Sequence, residues 1–542
     1  LSAGYANSIA NHIVNSDPKV KRVFDAWKNQ SADALLSNLE KNQELKMLLI
    51  EETPWLREAQ NETEAKRRIA VFFELNRIAD ELSKAKDKLV KMQLSNGAWP
   101  WFHRMPADRY ITQHIIAGFG KLDKLGIESL RKDEKVWNMI KQAIAYCDGE
   151  LERDYKELLR SVAQKHTTLE DFNLWHTHLH YFYMRSFFKD IPVPKDYQTA
   201  FDYYLGQSQK HWTKFGRYNQ GMIALYLERY KPQNLINKDI LKSLREHANI
   251  SEEFGMYWKE NYGYYWYQAP IENHALMIEV FQEVAKDSKA VDDLKVWLLK
   301  EKQTTAWKTT KATSEACYAL LKQGGNWLKS DKLVEVKLGN KKVEPQKETN
   351  IEAGTGYFKI RYNTDQFTKE MGEVTLTKTD EGLSWGALYW QYFEDLDKIT
   401  PAETPLKLKK QLFIQENAAT GPKLIALDKQ KLKVGDLLKV RIELRVDRNL
   451  EYVHLKDMRA SGFEPVNVLS TYKQQDGLHY YESTRDAATN FFISYLPKGT
   501  YVFEYPLRVS HSGEFSNGIS SIQCMYAPEF SSHSQGTRVV VE

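Results

Sequence analysis

Gly324-Gly325-Asn326, then Val334-Glu335-Val336-Lys337-Leu338 and the turn Gly339-Asn340, mark where this 542-residue sequence changes its period. Upstream, apolar residues recur at helical spacing. Downstream they alternate one in two, as strands with one buried face do. Working back, Thr309 to Leu321, Ile271 to Val284, Tyr218 to Tyr230 and Tyr110 to Leu122 each read as a helix that follows a loop rich in Trp, Tyr or Gly and opens on small or polar residues. The spacing of these units is irregular, which argues against a solenoid of fixed repeat length. Helical hairpins closing into a ring, with inner helices entered from one face, fit better, and an α/α toroid is expected.

Further back, Ala70, Phe73, Leu75, Ile78, Leu82 and Leu89 form an apolar stripe over 63–94, and Asn96-Gly97 stops it as a C-cap would. Asp108 precedes a new helix at Tyr110-Ile111-Thr112. Residues 5–50 read as short amphipathic helices, with Ile9, Ile13, Val14, Val23, Phe24 and Trp27 at helical spacing. Working forward, short strands continue to about 395, and Thr400-Pro401-Ala402-Glu403-Thr404-Pro405 reads as a linker. Strand patterns follow at 406–415, 438–446, 450–456, 490–496, 500–509 and 536–541, punctuated by Gly and Pro at sandwich-like intervals. The expected fold class is multidomain α plus β, a helical toroid followed by antiparallel β-sandwich domains.

The length calls for two to four domains. With 76 basic and 72 acidic residues the net charge is +4, which gives no electrostatic case for nucleic acid. Three cysteines, Cys147, Cys317 and Cys524, are too few and too far apart for a disulfide framework or a metal knuckle. No run of about 18 apolar residues suggests a membrane span. Leu1-Ser2-Ala3-Gly4 lacks a signal-peptide pattern and runs straight into helix-like sequence, so a fragment of something longer is expected.

Few constellations suggest chemistry. In Trp175-His176-Thr177-His178-Leu179-His180 only His176 and His180 share a helix face, and no Glu follows the first His, so a packed polar face is preferred to a metal site. Trp258, Tyr262, Tyr264, Tyr265, Trp266 and Tyr267 could line a sugar cleft, but a rim loop capping the ring is the preferred reading. Asp108, Asp171 and Glu272 are too scattered to assign acid and base roles. Cys317 reads as a small core residue. Neither a catalytic, a metal nor a cofactor site is predicted.

Several stretches resemble the C-terminal half of bacterial alpha-2-macroglobulin-like proteins. They are Tyr5-Ala6-Asn7-Ser8-Ile9-Ala10; Met92-Gln93-Leu94-Ser95-Asn96-Gly97-Ala98-Trp99-Pro100-Trp101-Phe102 with Asp108-Arg109-Tyr110-Ile111-Thr112; and Trp307-Lys308-Thr309-Thr310-Lys311-Ala312-Thr313. In the β part they are Ser384-Trp385-Gly386-Ala387-Leu388-Tyr389-Trp390-Gln391-Tyr392-Phe393, then Gly513-Glu514-Phe515 with Cys524-Met525-Tyr526-Ala527-Pro528-Glu529. The resemblance keeps its order over nearly the whole chain.

What the resemblance implies is a terpenoid-cyclase-like toroid corresponding to the thioester domain (1–328), part of a CUB-like interdomain β module (329–400) and a macroglobulin-like β-sandwich (401–542). The interdomain module normally receives strands from before the toroid, so an unpaired edge is expected here. In the family a Cys-x-Glu-Gln motif forms an internal thioester, an acyl donor that captures a protease after bait cleavage. Apolar side chains must keep water from it until then. By resemblance, Met525 and Tyr526 would shield that bond. Cys147, Cys317 and Cys524 are each followed by other residues, so the thioester position would lie just upstream of Leu1.

The implied partners are target proteases and other domains of the parent protein, at a periplasmic or cell-surface location. The implied activity is entrapment, not turnover. Two alternatives stand beside it: a lyase or hydrolase acting on carbohydrate from an α/α toroid, and a thioester-free interaction module.

Overall fold

The computed structural model describes Tyr5, Ser8, Ile9 and His12, residues 75–126, 129–259, 269–321, 333–344, 351 and 356–379, alternate residues of 384–390, and residues 393–402, 404–427 and 431–542. The chain divides into two compact units. Helices, two short two-stranded ladders and a three-stranded sheet make up the first; residues 385–542 form the bulk of the second. Most of 5–50, and Ala70 and Phe73 of the stripe, lie outside the described residues.

Ten helices carry the first unit among the described residues: α1 (Leu75–Met92), α2 (Arg109–Lys124), α3 (Glu134–Ala163), α4 (His176–Arg185), α5 (Gln198–His211), α6 (Arg217–Tyr230), α7 (Leu235–Glu246), α8 (Pro270–Val280), α9 (Ser288–Thr304) and α10 (Thr310–Leu321), besides the single turn Ser129–Lys132. Helices α2, α4, α6, α8 and α10 pack side by side in that order, while α3 packs on α2 and α5, and α7 on α6. This is the inner and outer layering of an α/α toroid. Lys121 of α2 pairs with Glu315 of α10, tying the last inner helix back to α2. Tyr5 and Ile9 are helical, Ile9 belongs to the same core, and a Cβ on Gly118 of α2 would lie 3.7 Å from the Tyr5 ring.

The inner helices are apolar on most of their surface because both faces are covered. Ile115, Ile116, Phe182, Met222, Leu225, Met277 and Ile278 are all buried. Close approach depends on small residues: a Cβ on Gly120 would come within 2.5 Å of Phe187. At one end of the ring Arg229 binds Glu279 at 2.7 Å and Glu283 at 3.0 Å, and the Tyr183 hydroxyl donates to Glu279 at 2.7 Å. These charges are buried as a hydrogen-bonded set, which is how a core tolerates them.

The loop after α1 is held as its sequence predicts. Gly97 takes φ +86°, and a Cβ there would strike the Gln142 carbonyl at 2.4 Å. Trp99 is buried and donates its indole N–H to the Leu89 carbonyl at 2.9 Å, while Trp101 and Phe102 are exposed. The Asp108 carboxylate caps α2 by accepting from the Ile111 N–H at 2.8 Å.

A small sheet in the first unit has order β2-β1-β3, with β1 (Glu335–Leu338), β2 (Lys341–Val343) and β3 (Val374–Thr377). Among the described residues β3 pairs only with β1, and its side chains are exposed throughout.

The second unit is a sandwich. Its strands are β4 (Leu406–Ala418), β5 (Gly421–Ala426), β6 (Leu437–Val446), β7 (Leu450–Met458), β8 (Phe463–Pro465), β9 (Thr471–Gln475), β10 (Leu478–Thr484), β11 (Ala488–Leu496), β12 (Gly499–Val509), β13 (Gly513–Ser516), β14 (Ser520–Cys524), β15 (Ser531–His533) and β16 (Arg538–Val541). A five-stranded sheet runs β8-β12-β6-β4-β5, a six-stranded one β9-β10-β11-β7-β14-β15, and β13 pairs β16; all are antiparallel. Alternate residues meet in one core: Leu438, Val440, Ile442 and Leu444 from β6 against Val453, Leu455, Phe491 and Ile493. No described helix is long and apolar enough to cross a membrane.

Candidate functional site

The Met525–Tyr526 step follows β14 directly. Cys524 is the last residue of that strand and pairs with Val453 of β7. The chain then turns, with the Cys524 N–H donating to the Phe530 carbonyl at 2.9 Å and the Phe530 N–H to the Ala527 carbonyl at 2.9 Å. Met525 is 2% exposed, yet it stands outside the apolar cluster of the sandwich, whereas its neighbours Cys524 and Ala527 belong to it. Tyr526 is half-buried, its ring edge-on to Tyr452 at 5.1 Å and 70°.

The strand facing this step is irregular. Tyr452 of β7 has φ +57°. A bulky side chain in that region carries strain of about 1–3 kcal/mol. The β7–β11 ladder skips Tyr452 and resumes in the same register at Val453↔Ile493. On its other side, the Tyr452 carbonyl accepts from the Met525 N–H at 2.8 Å, the next rung in the register of Val453↔Cys524. One residue earlier, the Glu451 carbonyl accepts from the Cys524 thiol at 3.5 Å. Burial pushes that thiol up to about 11. Nothing in the sequence singles out Tyr452, because left-handed positions are usually announced by Gly, Asn or Asp.

In the helical unit the structure sends the three histidines of α4 to three different partners. His176 Nδ1 lies 2.9 Å from the Asn219 amide, His178 Nε2 lies 3.0 Å from Asp154, and His180 Nδ1 lies 3.1 Å from Gln113. Arg109 also pairs with Asp154. Burial holds His180 down to about 3 and lowers His178 against the pull of Asp154. Tyr110 stacks near both His114 (5.9 Å) and His180 (5.4 Å). The geometry is that of packed, individually satisfied rings.

The other residues weighed from sequence also have structural partners. Asp171 accepts from the Thr168 N–H at 2.8 Å, and Glu272 is buried in the first turn of α8 with its pKa raised by that burial. Trp258 is core: 2% exposed, it donates to the Leu244 carbonyl at 2.9 Å and packs near His274 and Phe281. Tyr262, Tyr264, Tyr265, Trp266 and Tyr267 lie outside the described residues. Cys147 is buried in α3, and Cys317 is half-buried against the helical core.

A helical ring followed by an antiparallel sandwich, in separate compact units, defines a multidomain α plus β protein. Residues 406–529 match the family model described as the bacterial alpha-2-macroglobulin MG10 domain. An alpha-2-macroglobulin homolog of Nostoc sp. is 24% identical over 299 residues, which are 51% of this chain and 15% of that relative. Trypsin-activated alpha-2-macroglobulin from Escherichia coli aligns at 12% identity and TM-score 0.40, covering 86% of this chain and 30% of its own. Salmonella alpha-2-macroglobulin reacted with methylamine aligns at 14% identity and TM-score 0.30, covering 99% of this chain and 31% of its own. The chain is thus similar to bacterial alpha-2-macroglobulins, through the MG10 domain over 406–529. It spans 15% of the length of the curated relative it matches.

Proposed function

We propose that this chain is the C-terminal part of a protease inhibitor that works by entrapment, a capture protein and not a turnover enzyme. Residues 1–328 would be its thioester-domain toroid, 329–400 part of a CUB-like interdomain module, and 401–542 the macroglobulin-like sandwich. A Cys-x-Glu-Gln thioester would precede Tyr5-Ala6-Asn7 in the parent protein. Its partners would be target proteases and the other domains of the parent, in the periplasm or at the cell surface.

One observation carries this reading. The match to the MG10 domain ends at residue 529, and so includes the Met525–Tyr526 step. Met525 is buried without belonging to the sandwich core, as a side chain reserved for covering something else would be. In this role the thioether and the phenol ring exclude water from an acyl donor whose lifetime depends on dryness. The burial of Trp258 weighs against a sugar cleft at that position.

The test is the intact mass of the full-length parent before and after methylamine, with free thiols counted in parallel. A gain of one methylamine and the release of one thiol per chain supports the covalent trap. No change in either moves the protein to a thioester-free module that docks partners.

A further inference from the structure

We infer that His178 is a proton-controlled latch at the start of α4, holding Trp175 to the helix only while its imidazole is neutral. The Trp175 N–H donates to His178 Nδ1 at 3.1 Å, and His178 Nε2 lies 3.0 Å from Asp154 Oδ2. A neutral imidazole has one acceptor nitrogen and one donor. Since Nδ1 accepts, the proton sits on Nε2 and is donated to the Asp154 carboxylate. Both nitrogens of an imidazolium are donors, so a second proton on Nδ1 sets N–H against N–H and removes the bond to Trp175. The bond is that of a capping box, in which the third residue of a helix accepts from the N–H of its N-cap residue, here Trp175. Glu or Gln normally fills that third place, and neither changes from acceptor to donor near neutral pH.

The surroundings favour the closed form at neutral pH. His178 is 3% exposed and stacks on Tyr204 of α5, with ring centroids 4.2 Å apart. Asp154 comes from α3 and also pairs with Arg109, the first residue of α2. Burial lowers the imidazole pKa, Asp154 opposes that shift and Arg109 adds to it. Burial also works against the Asp154 charge, but the bonds to His178 and Arg109 hold its pKa below the usual carboxylate value. The Tyr204 phenol is pushed up by burial and stays neutral. With the folded value below 6.5, the latch contributes in full above pH 6.5 and is lost as pH falls through the folded value. What it restrains is Trp175, whose side chain stands in solvent. The residues before it have anchors of their own: Asn173 donates to the Tyr203 hydroxyl at 2.9 Å, and Leu174 is buried. Acid therefore loosens Trp175 and the first turn of α4 without freeing the rest of the loop.

Amide exchange of the chain at pH 7.5 and pH 4.5, corrected for the intrinsic rate at each pH and resolved by fragmentation mass spectrometry, reads the latch at the Trp175 N–H. In wild type its protection should fall roughly fivefold at the lower pH, as one hydrogen bond is lost. The Val136 N–H, which donates to the Asp133 carboxylate at 3.2 Å at the start of α3, is the internal control and should keep its protection. His178→Gln retains a capping-box acceptor that does not titrate, so protection of Trp175 in that variant should be the same at both pH values.

Unchanged protection of Trp175 in wild type down to pH 4.5 overturns the inference. So does an equal loss at Trp175 in wild type and in His178→Gln, or a parallel loss at Trp175 and Val136 in wild type, since either places the cause outside the His178 ring. Should His178→Gln fail to fold, the comparison of Trp175 with Val136 within wild type decides.

Discussion

Lys410 Nζ lies 2.7 Å from Asp457 Oδ1 in the middle of the sandwich, with the two side chains 5% and 0% exposed. The pair joins the two sheets, since Lys410 is on β4 and Asp457 on β7. Ser520 donates to the same carboxylate at 2.5 Å, as does the Tyr505 hydroxyl, and Lys410 also donates to the Met458 carbonyl at 2.6 Å. Four strands thus meet on one carboxylate. Asp457→Ala leaves a buried ammonium without its counter-charge and should cost about 3–5 kcal/mol of sandwich stability. Replacing both partners with apolar residues of similar size should cost far less. Urea denaturation of the single and double variants measures the difference.

Acid should weaken the sandwich through His454. Burial holds this imidazole down to about 4, while its bond to Asn490 opposes the shift and Lys456 adds to it. The folded form therefore prefers the neutral ring. Its contribution to stability is complete above the unfolded value of 6.5 and is lost as pH falls toward 4. The loss is on the order of 3 kcal/mol for that one group. Urea midpoints measured from pH 7.5 to 4 should fall in wild type, and fall less steeply in His454→Gln.

In the helical unit, Gly120→Ala should be costly. The new methyl group would come within 2.5 Å of the Phe187 ring, and α2 and α4 would have to separate. Overpacking of this kind costs about 1–3 kcal/mol. Adding Phe187→Leu to Gly120→Ala should recover part of the loss, and a thermal-unfolding series of the three variants tests it.

The three thiols should react in a fixed order. Cys147 and Cys524 are buried and Cys317 is half-buried, and burial raises the pKa of all three, Cys524 to about 11. At neutral pH each is a thiol, not a thiolate, so native modification should be slow. Cys317 should be alkylated first, with Cys147 and Cys524 protected until the chain unfolds. Peptide mapping after timed alkylation reads the order directly.

Much of the architecture was legible. The change of period after Asn326, the cap at Asp108 and the stop at Gly97 all depend on local chemistry that the sequence states openly. The six strand segments expected in the sandwich fall on β4, β6, β7, β11, β12 and β16. Strands β5, β8 to β10 and β13 to β15 were not legible, because they are short, more polar or less evenly buried on their faces. The Lys410–Asp457 pair did leave a trace. In Leu406-x-Leu408-x-Lys410 and Val453-x-Leu455-x-Asp457, opposite charges occupy slots that the alternation assigns to the core. Tyr452 left none, since its left-handed backbone falls inside a strand and on a residue other than Gly, Asn or Asp.

The pairing of Lys121 with Glu315 has a consequence for how the molecule comes into being. The two residues are 194 positions apart. A chain synthesised from its N-terminus presents α2 long before α10 exists, so the ring stays open while the intervening helices emerge. Closure over so long a span gains its contacts only at the last step, which makes it slow. Until then Lys121 has no carboxylate to meet and the apolar flanks of α2 face water or a chaperone. Arrest or cleavage between α2 and α10 would leave not a smaller stable domain but an unfinished one, prone to associate with its own kind.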